Sequence, residues 1–154
     1  MNKIVYVTGC LGFIGSYVTK KCLQRNWKVY GVDKCTYAAN MEMLEDLQKH
    51  RNFAFQKCDI KDLDHLYDCD YVINTAAESH VGNSIINSDS FIDSNVVGTK
   101  NLLDLIRFKQ TNCSKRPIFL HFSTDEVYGD ITEGEHTEED LLKPSNPYSA
   151  AKAA

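Results

Sequence analysis

No uninterrupted apolar run in this chain is long enough to cross a bilayer. The first one, Ile4-Val5-Tyr6-Val7, follows Lys3 in a faint imitation of a signal peptide. Gly9, Gly12 and Gly15 cut it short. Positive charge is also scarce: 17 Lys and Arg against 21 Asp and Glu give 17 − 21 = −4, which leaves no basic surface for nucleic acid. The six cysteines (10, 22, 35, 58, 69 and 113) contain no C-x-x-C and no paired Cys/His spacing, which argues against a zinc site or a disulfide scaffold. Several fall inside predicted strands or helices as small buried hydrophobes. That pattern suits a reduced, cytoplasmic protein in which the Asn112-Cys113-Ser114 sequon goes unused. His50, His65, His121 and His136 lack metal-ligand spacing, so no metal is expected. There is no internal repeat and no low-complexity linker. A length of 154 residues suits one domain with a real core.

What is present is an alternation of short apolar runs and amphipathic stretches. The predicted strands are 3–8, 28–32, 53–57, 71–74 and 117–122. The predicted helices are 13–25, 39–50, a short one at 61–67, and 88–110, with Phe91, Val96, Leu102, Leu103, Leu105 and Ile106 on one broad face. Strands this uniformly apolar are covered on both faces. Alternation of this kind implies right-handed βαβ units and an α/β, Rossmann-type doubly wound parallel sheet. The expected strand order is 3-2-1-4-5, with ligands at the carboxyl ends of the strands.

The turn after the first strand, Thr8-Gly9-Cys10-Leu11-Gly12-Phe13-Ile14-Gly15, carries the sharpest chemical signal. Gly9 makes the tight turn. Gly12, without a Cβ, lets a pyrophosphate approach the backbone and the positive end of the helix that begins at Phe13 and Ile14. Gly15 lets that helix pack closely on the strand. The second strand ends in Asp33, whose carboxylate can accept from the adenine-ribose hydroxyls and would repel a 2′-phosphate, so NAD is expected over NADP.

Two further groups read as chemistry. Tyr148 and Lys152 are four apart and share a helix face, where an ammonium would favour the phenolate and make Tyr148 a base. Strand five opens into Ser123-Thr124-Asp125-Glu126-Val127-Tyr128-Gly129, with four consecutive hydroxyl and carboxyl side chains at a strand's ligand-facing end. Adjacent carboxyls disfavour double ionisation, which suits one as acid and one as base. The stretch from Pro147 to Ala154 reads as the opening turns of a helix. The expectation is therefore that residues 1–154 are the NAD-binding N-terminal portion of a longer protein whose substrate domain lies elsewhere.

Thr8 to Gly15, Asp33-Lys34-Cys35-Thr36-Tyr37-Ala38, Asp59-Ile60, Ala76-Ala77-Glu78-Ser79-His80-Val81, Asn95-Val96-Val97-Gly98-Thr99, Ser123 to Gly129 and Pro147 to Lys152 occur in an order that resembles one family across the whole chain. It is the nucleoside-diphosphate-glucose 4,6-dehydratases (dTDP-glucose and UDP-glucose 4,6-dehydratases) of the extended short-chain dehydrogenase/reductases. The resemblance implies that Tyr148, helped by Lys152, deprotonates the sugar 4-hydroxyl as hydride leaves C4 for NAD. Glu126 would then take the C5 proton, Asp125 would protonate the departing 6-hydroxyl, and Thr124 would hydrogen-bond near O4. It implies cofactor contacts from Gly9, Gly12, Phe13, Ile14, Gly15, Asp33, Lys34, Thr36, Asp59, Ile60, Tyr148 and Lys152. Thr75, Ala76, Ala77, Ser79 and Ser94 would line the nicotinamide and ribose side, with Ser79 also reaching substrate. A homodimer is implied for the full-length protein.

Gly82-Asn83 departs from the Asp-Arg usual after His-Val in the bacterial dTDP enzymes and leans toward UDP-glucose. Cys10 stands where the family usually has Gly. The competing readings are a nucleotide-sugar epimerase or decarboxylase, against which Asp125 speaks, and a non-catalytic NAD-binding module.

Overall fold

A computed structural model describes residues 3–112 and 116–154. Cys113 and Ser114 of the sequon lie outside them. The chain divides into two units, Met1–Ala76 with Gly98–Phe122, and Ala77–Val97 with Ser123–Ala154.

The first unit is a parallel sheet. Strands β1 (Ile4–Thr8), β2 (Lys28–Asp33), β3 (Phe53–Lys57), β4 (Tyr71–Asn74) and β5 (Ile118–His121) run in the order β3-β2-β1-β4-β5, the predicted order and class. Thr8 pairs with both Val32 and Asn74, so the carboxyl ends of the three central strands are level. Side chains alternate between faces, and the central strands β1, β2 and β4 are covered on both; at the edge the expectation fails, because Ile118 and Leu120 of β5 stand exposed on one face. Val5, Val7 and Val29 pack with Leu23 of helix α1 (Phe13–Gln24) and with Leu44 and Leu47 of helix α2 (Met41–Gln48). Tyr6, Val32 and Val72 pack on the other face with Ile60, Leu102 and Ile106.

Local chemistry sets the helix ends. Helix α1 stops where Asn26 takes a left-handed φ of 57° and the Trp27 N–H reaches back to the Cys22 carbonyl at 3.1 Å. Helix α2 starts at Asn40, whose side chain accepts the Met43 N–H at 2.9 Å.

The predicted helix 61–67 is only a 3-10 turn, Ile60–Asp62. The reason is a competing donor. Both N–H bonds of the Asn101 amide go to the carbonyls of Ile60 and Leu63, each at 2.8 Å, and Leu63 is extended. Downstream, the Tyr67 N–H donates to the Tyr6 hydroxyl at 2.8 Å, which pins the segment as a crossing strap. Burial pushes that Tyr6 phenol from 10.0 up to about 12. Because the folded value lies above the unfolded one, the stabilisation is complete below pH 10 and drains away as pH rises toward 12. Alkaline unfolding of wild type should therefore steepen in that window, and Tyr6→Phe should flatten the slope in a denaturant titration at stepped pH.

The predicted helix 88–110 is three pieces: α4 (Asp89–Phe91), a π-helical stretch Ile92–Gly98, and α5 (Thr99–Asn112). The wider turn resets the apolar face. Leu102 and Ile106 stay buried, but Leu103, expected on that face, is 46% exposed. Ser94 and Asn95 are buried in the π stretch.

The second unit also contains α3 (Val81–Ile86), which the sequence reading missed, a 3-10 turn (Asp125–Tyr128) and α6 (Pro147–Ala153). Its core is Phe91, Tyr148 and Ala151, flanked by Val81 and Val96. Gly82 hid α3 from a propensity reading. His80 caps it, with Nδ1 accepting the Asn83 N–H at 3.3 Å, a structural role.

Candidate active site

In the first unit, the turn after β1 is built almost entirely from backbone. Gly9 sits at φ 67°, and a Cβ there would lie 2.7 Å from the Ala76 backbone. A Cβ on Gly15 would fall on the Gly9 carbonyl oxygen and come within 2.5 Å of the Thr75 hydroxyl. Gly12 differs: its Cβ would meet only the Gly9 carbonyl, at 3.3 Å. Packing therefore requires glycine at 9 and 15, while Gly12 is crowded by a single neighbour. Gly12 is the N-cap of α1 and provides no side-chain cap, and no acidic residue stands in the first turn. The first N–H groups of a helix have no intrahelical partner, and here they lie beside Phe13 and Ile14, 83% and 49% exposed.

Asp33, at the end of β2, does more than the sequence suggested. One carboxylate oxygen accepts the Leu11 N–H at 2.9 Å and the other the Cys35 N–H at 2.8 Å. It thus fixes the glycine turn from the end of β2. Lys34 pairs with Asp59 at 3.8 Å, and Asp59 caps the 3-10 turn carrying buried Ile60 by accepting the Lys61 N–H at 3.1 Å. The Thr36 carbonyl accepts the Ala39 N–H at 3.0 Å. Thr75 donates its hydroxyl to the Thr8 carbonyl at 2.6 Å, so it staples β4 to β1, and Ala76 packs on the sheet. At the same strand ends, Asn74 is buried in a polar network. It accepts the Thr8 hydroxyl at 2.5 Å and lies 3.0 Å from His121 Nδ1.

Among the described residues, Cys10, Cys22, Cys35, Cys58 and Cys69 form no disulfide. Burial pushes the Cys10, Cys22, Cys35 and Cys58 thiols up, the opposite of an activated nucleophile.

In the second unit, the predicted acid–base residues converge. Thr124 caps the 3-10 turn, accepting the Glu126 N–H at 3.3 Å, and lies 3.3 Å from the Asp125 carboxylate. The Thr124 side chain also hydrogen-bonds the Tyr148 phenol. Tyr148 stands in the first turn of α6, edge-on to Phe91, with its N–H donated to the Ser84 hydroxyl at 3.2 Å. Gly129 at φ 88° closes the turn, where a Cβ would strike the Lys143 carbonyl.

The phenol is not in the expected state. Burial raises Tyr148 above the ordinary value, and the Glu126 and Asp125 carboxylates push the same way. The Thr124 hydroxyl alone opposes them. Lys152, which the sequence reading made the lowering agent, is itself lowered by burial. Desolvation outweighs the helical spacing on which the expectation rested.

Of the remaining predicted residues, Ser79 and Ala77 are exposed in the segment before α3, and Ser94 is buried. Two functional candidates were missed. The Asn95 amide holds Glu78 at both backbone groups, accepting its N–H at 3.0 Å and donating to its carbonyl at 2.9 Å. Asn146 links α6 to Glu126, donating from Nδ2 to the carboxylate at 3.0 Å. The helix-start pattern Asn146-Pro147 hinted at the second; Asn95 stood only within the family motif Asn95 to Thr99, with nothing to tie it to Glu78. Among the described residues, no group of three or more His, Cys, Asp or Glu side chains is placed to hold a metal, and no helix is long and apolar enough to cross a membrane.

A glycine turn after β1 of a 3-2-1-4-5 parallel sheet, followed by a Tyr-x-x-x-Lys helix, defines the short-chain dehydrogenase/reductase fold. The family profile for GDP-mannose 4,6 dehydratase matches residues 6–154, and the chain belongs to that family. It is 43% identical to the dTDP-glucose 4,6-dehydratase of Neisseria gonorrhoeae over 99% of its own length and 48% of the relative's. The dTDP-glucose 4,6-dehydratase DesIV of Streptomyces venezuelae, solved with NAD bound, superposes with a TM-score of 0.86 at 35% identity, covering 97% of this chain and 48% of that one. The UDP-Glc/GlcNAc 4-epimerase of Campylobacter jejuni also reaches 0.86, at 25% identity, over 98% and 46%. The chain spans about half the length of the curated relatives it matches.

Proposed function

We propose that residues 1–154 form the NAD-binding portion of a nucleotide-sugar 4,6-dehydratase, a hydro-lyase that converts dTDP- or UDP-glucose to the 4-keto-6-deoxy sugar. A C-terminal substrate domain, a homodimer and a cytoplasmic setting belong to this reading. The observation that carries it is the meeting of Thr124, Asp125, Glu126 and Tyr148 in one unit. An epimerase needs to move one proton and one hydride at C4. Elimination across C5 and C6 needs an extra acid and an extra base, and Asp125 and Glu126 supply them. The high identity to dTDP-glucose enzymes favours the dTDP sugar over the UDP sugar that Gly82-Asn83 suggested.

The residues present fit a dinucleotide, because the space beside Gly12 admits a pyrophosphate where Gly9 and Gly15 admit nothing. Gly9, Gly12, Phe13, Ile14 and Gly15 would hold the pyrophosphate. Asp33, Lys34, Thr36, Asp59 and Ile60 would hold the adenosine end, and Thr75, Ala76, Ala77, Ser79 and Ser94 the nicotinamide end. Bound there, NAD would supply a hydride acceptor for C4 and a hydride donor for C6, and its positive charge would favour a phenolate. Tyr148 takes the 4-hydroxyl proton, Lys152 would hold the ribose, and Thr124 and Ser79 orient the sugar. Glu126 removes the C5 proton and Asp125 donates one to the leaving 6-hydroxyl.

The test is incubation of the intact protein with each sugar nucleotide, reading loss of one water by mass spectrometry. Epimerised product of unchanged mass would select the epimerase reading, and no product would select the non-catalytic module. A second expected result concerns the cofactor. NAD(H) should bind more tightly than NADP(H), and Asp33→Asn should narrow the gap while weakening both, since it also releases the Leu11 N–H from a charged acceptor. Equal affinities in wild type, by fluorescence titration, would refute the role of Asp33.

A further inference from the structure

Asn146 is the N-cap of α6, and its side chain makes two bonds in opposite directions. Oδ1 accepts the Ser149 N–H at 2.8 Å, while Nδ2 donates to Glu126 Oε2 at 3.0 Å. The backbone adds a third bond, the Asn146 N–H donating to the Ser149 hydroxyl at 3.1 Å, which completes a capping box. The orientation of the amide is fixed by these partners. Turned around, it would set NH2 against N–H and a carbonyl oxygen against a carboxylate.

Capping alone does not require asparagine. Ser and Asp cap helices about as well, and neither offers a fixed second donor. The donor has a specific target here. Glu126 lies on the 3-10 turn and Tyr148 on the first turn of α6, so one amide ties together the two elements that carry the acid–base groups. A donated N–H bond of this geometry also restrains the rotamer of a carboxylate that is otherwise half exposed.

We propose that Asn146 is a positioning residue that holds the Glu126 carboxylate for proton removal at C5, using its helix cap as the anchor. The inference rests on the dehydratase reading for its catalytic consequence, but the contact itself does not.

The test uses the intact protein and two arms. By NMR, the Asn146 side-chain amide protons should exchange slowly with solvent, and Glu126→Ala should speed that exchange about tenfold or more. Equal exchange in both proteins overturns the proposal whatever the enzyme does. In kinetics, Asn146→Asp keeps the cap but places a carboxylate against Glu126, and Asn146→Ser keeps the cap and deletes the donor. Both should keep KM and the first oxidation, read as transient NADH, within about twofold. Exchange of the C5 proton with deuterated solvent should fall about tenfold or more in Asn146→Asp and less in Asn146→Ser. A merely structural role would lower both half-reactions and the thermal midpoint together, and that pattern would overturn the proposal. Wild type that turns over neither sugar refutes the dehydratase reading, and with it the catalytic role. Full elimination by Asn146→Asp in an active enzyme refutes the role of Asn146 alone.

Discussion

Gly15→Val should unfold this chain, whereas Gly12→Val should leave it folded and unable to hold NAD. The two glycines are three residues apart in the same turn, and a motif reading treats them alike. The structure separates them. A side chain at 15 would occupy the place of the Gly9 carbonyl oxygen and crowd the Thr75 hydroxyl at 2.5 Å. Neither neighbour can give way. The Gly9 carbonyl accepts the Gly12 N–H at 3.0 Å, and the Thr75 hydroxyl is donated to β1. Overpacking usually costs about 1–3 kcal/mol, and one against backbone on two sides belongs at or beyond the top of that range. At 12, only one carbonyl stands within reach, at 3.3 Å, and loss of a glycine N-cap costs roughly 1 kcal/mol or less. The added methyls instead fill the space a pyrophosphate would enter. Thermal unfolding and NAD(H) titration on both variants decide the matter. Tight NAD(H) binding by Gly12→Val would remove the pyrophosphate from this turn, and a native midpoint for Gly15→Val would contradict the packing.

The contrast shows what kind of information the sequence made legible. The glycine turn, Asp33 and the Tyr148/Lys152 spacing could be read because each is a local demand, a turn conformation or a helical repeat within a few residues. The strand order followed from alternation, which is also local. What could not be read depends on partners far along the chain. Asn101 reaches Ile60 and Leu63, and so dissolves a helix that the pattern at 61–67 favoured. Asn95 reaches Glu78 and Asn146 reaches Glu126 through single amides that leave no periodic trace. The sign of the Tyr148 shift failed for a related reason. Helical spacing fixes which residues share a face, but not how much water the fold removes from a phenol.

The raised Tyr148 makes the separation of half-reactions the other large expected effect. Burial and two carboxylates hold the phenol protonated, and only the Thr124 hydroxyl works against them. A base in that state depends on every group that lowers it, so Tyr148→Phe in the intact enzyme should cut C4 oxidation by about 10²–10⁴. No transient NADH should form. Thr124→Val should slow the same step less, with Thr124→Ser restoring it, because serine keeps the hydroxyl that bonds the phenol. Asp125→Asn and Glu126→Gln act later. Neither variant removes a group that lowers Tyr148, so neither should impair the first oxidation, and NADH should accumulate on mixing with sugar nucleotide. Elimination should then stall, by about 10²–10⁴ in each variant. The two stalled enzymes remain distinguishable. Asp125→Asn retains the base, so the C5 proton of the 4-keto sugar should still exchange with deuterated solvent, while Glu126→Gln should abolish that exchange. Exchange in both variants would move the base elsewhere, and native dehydration by Asp125→Asn would end its assignment as the acid.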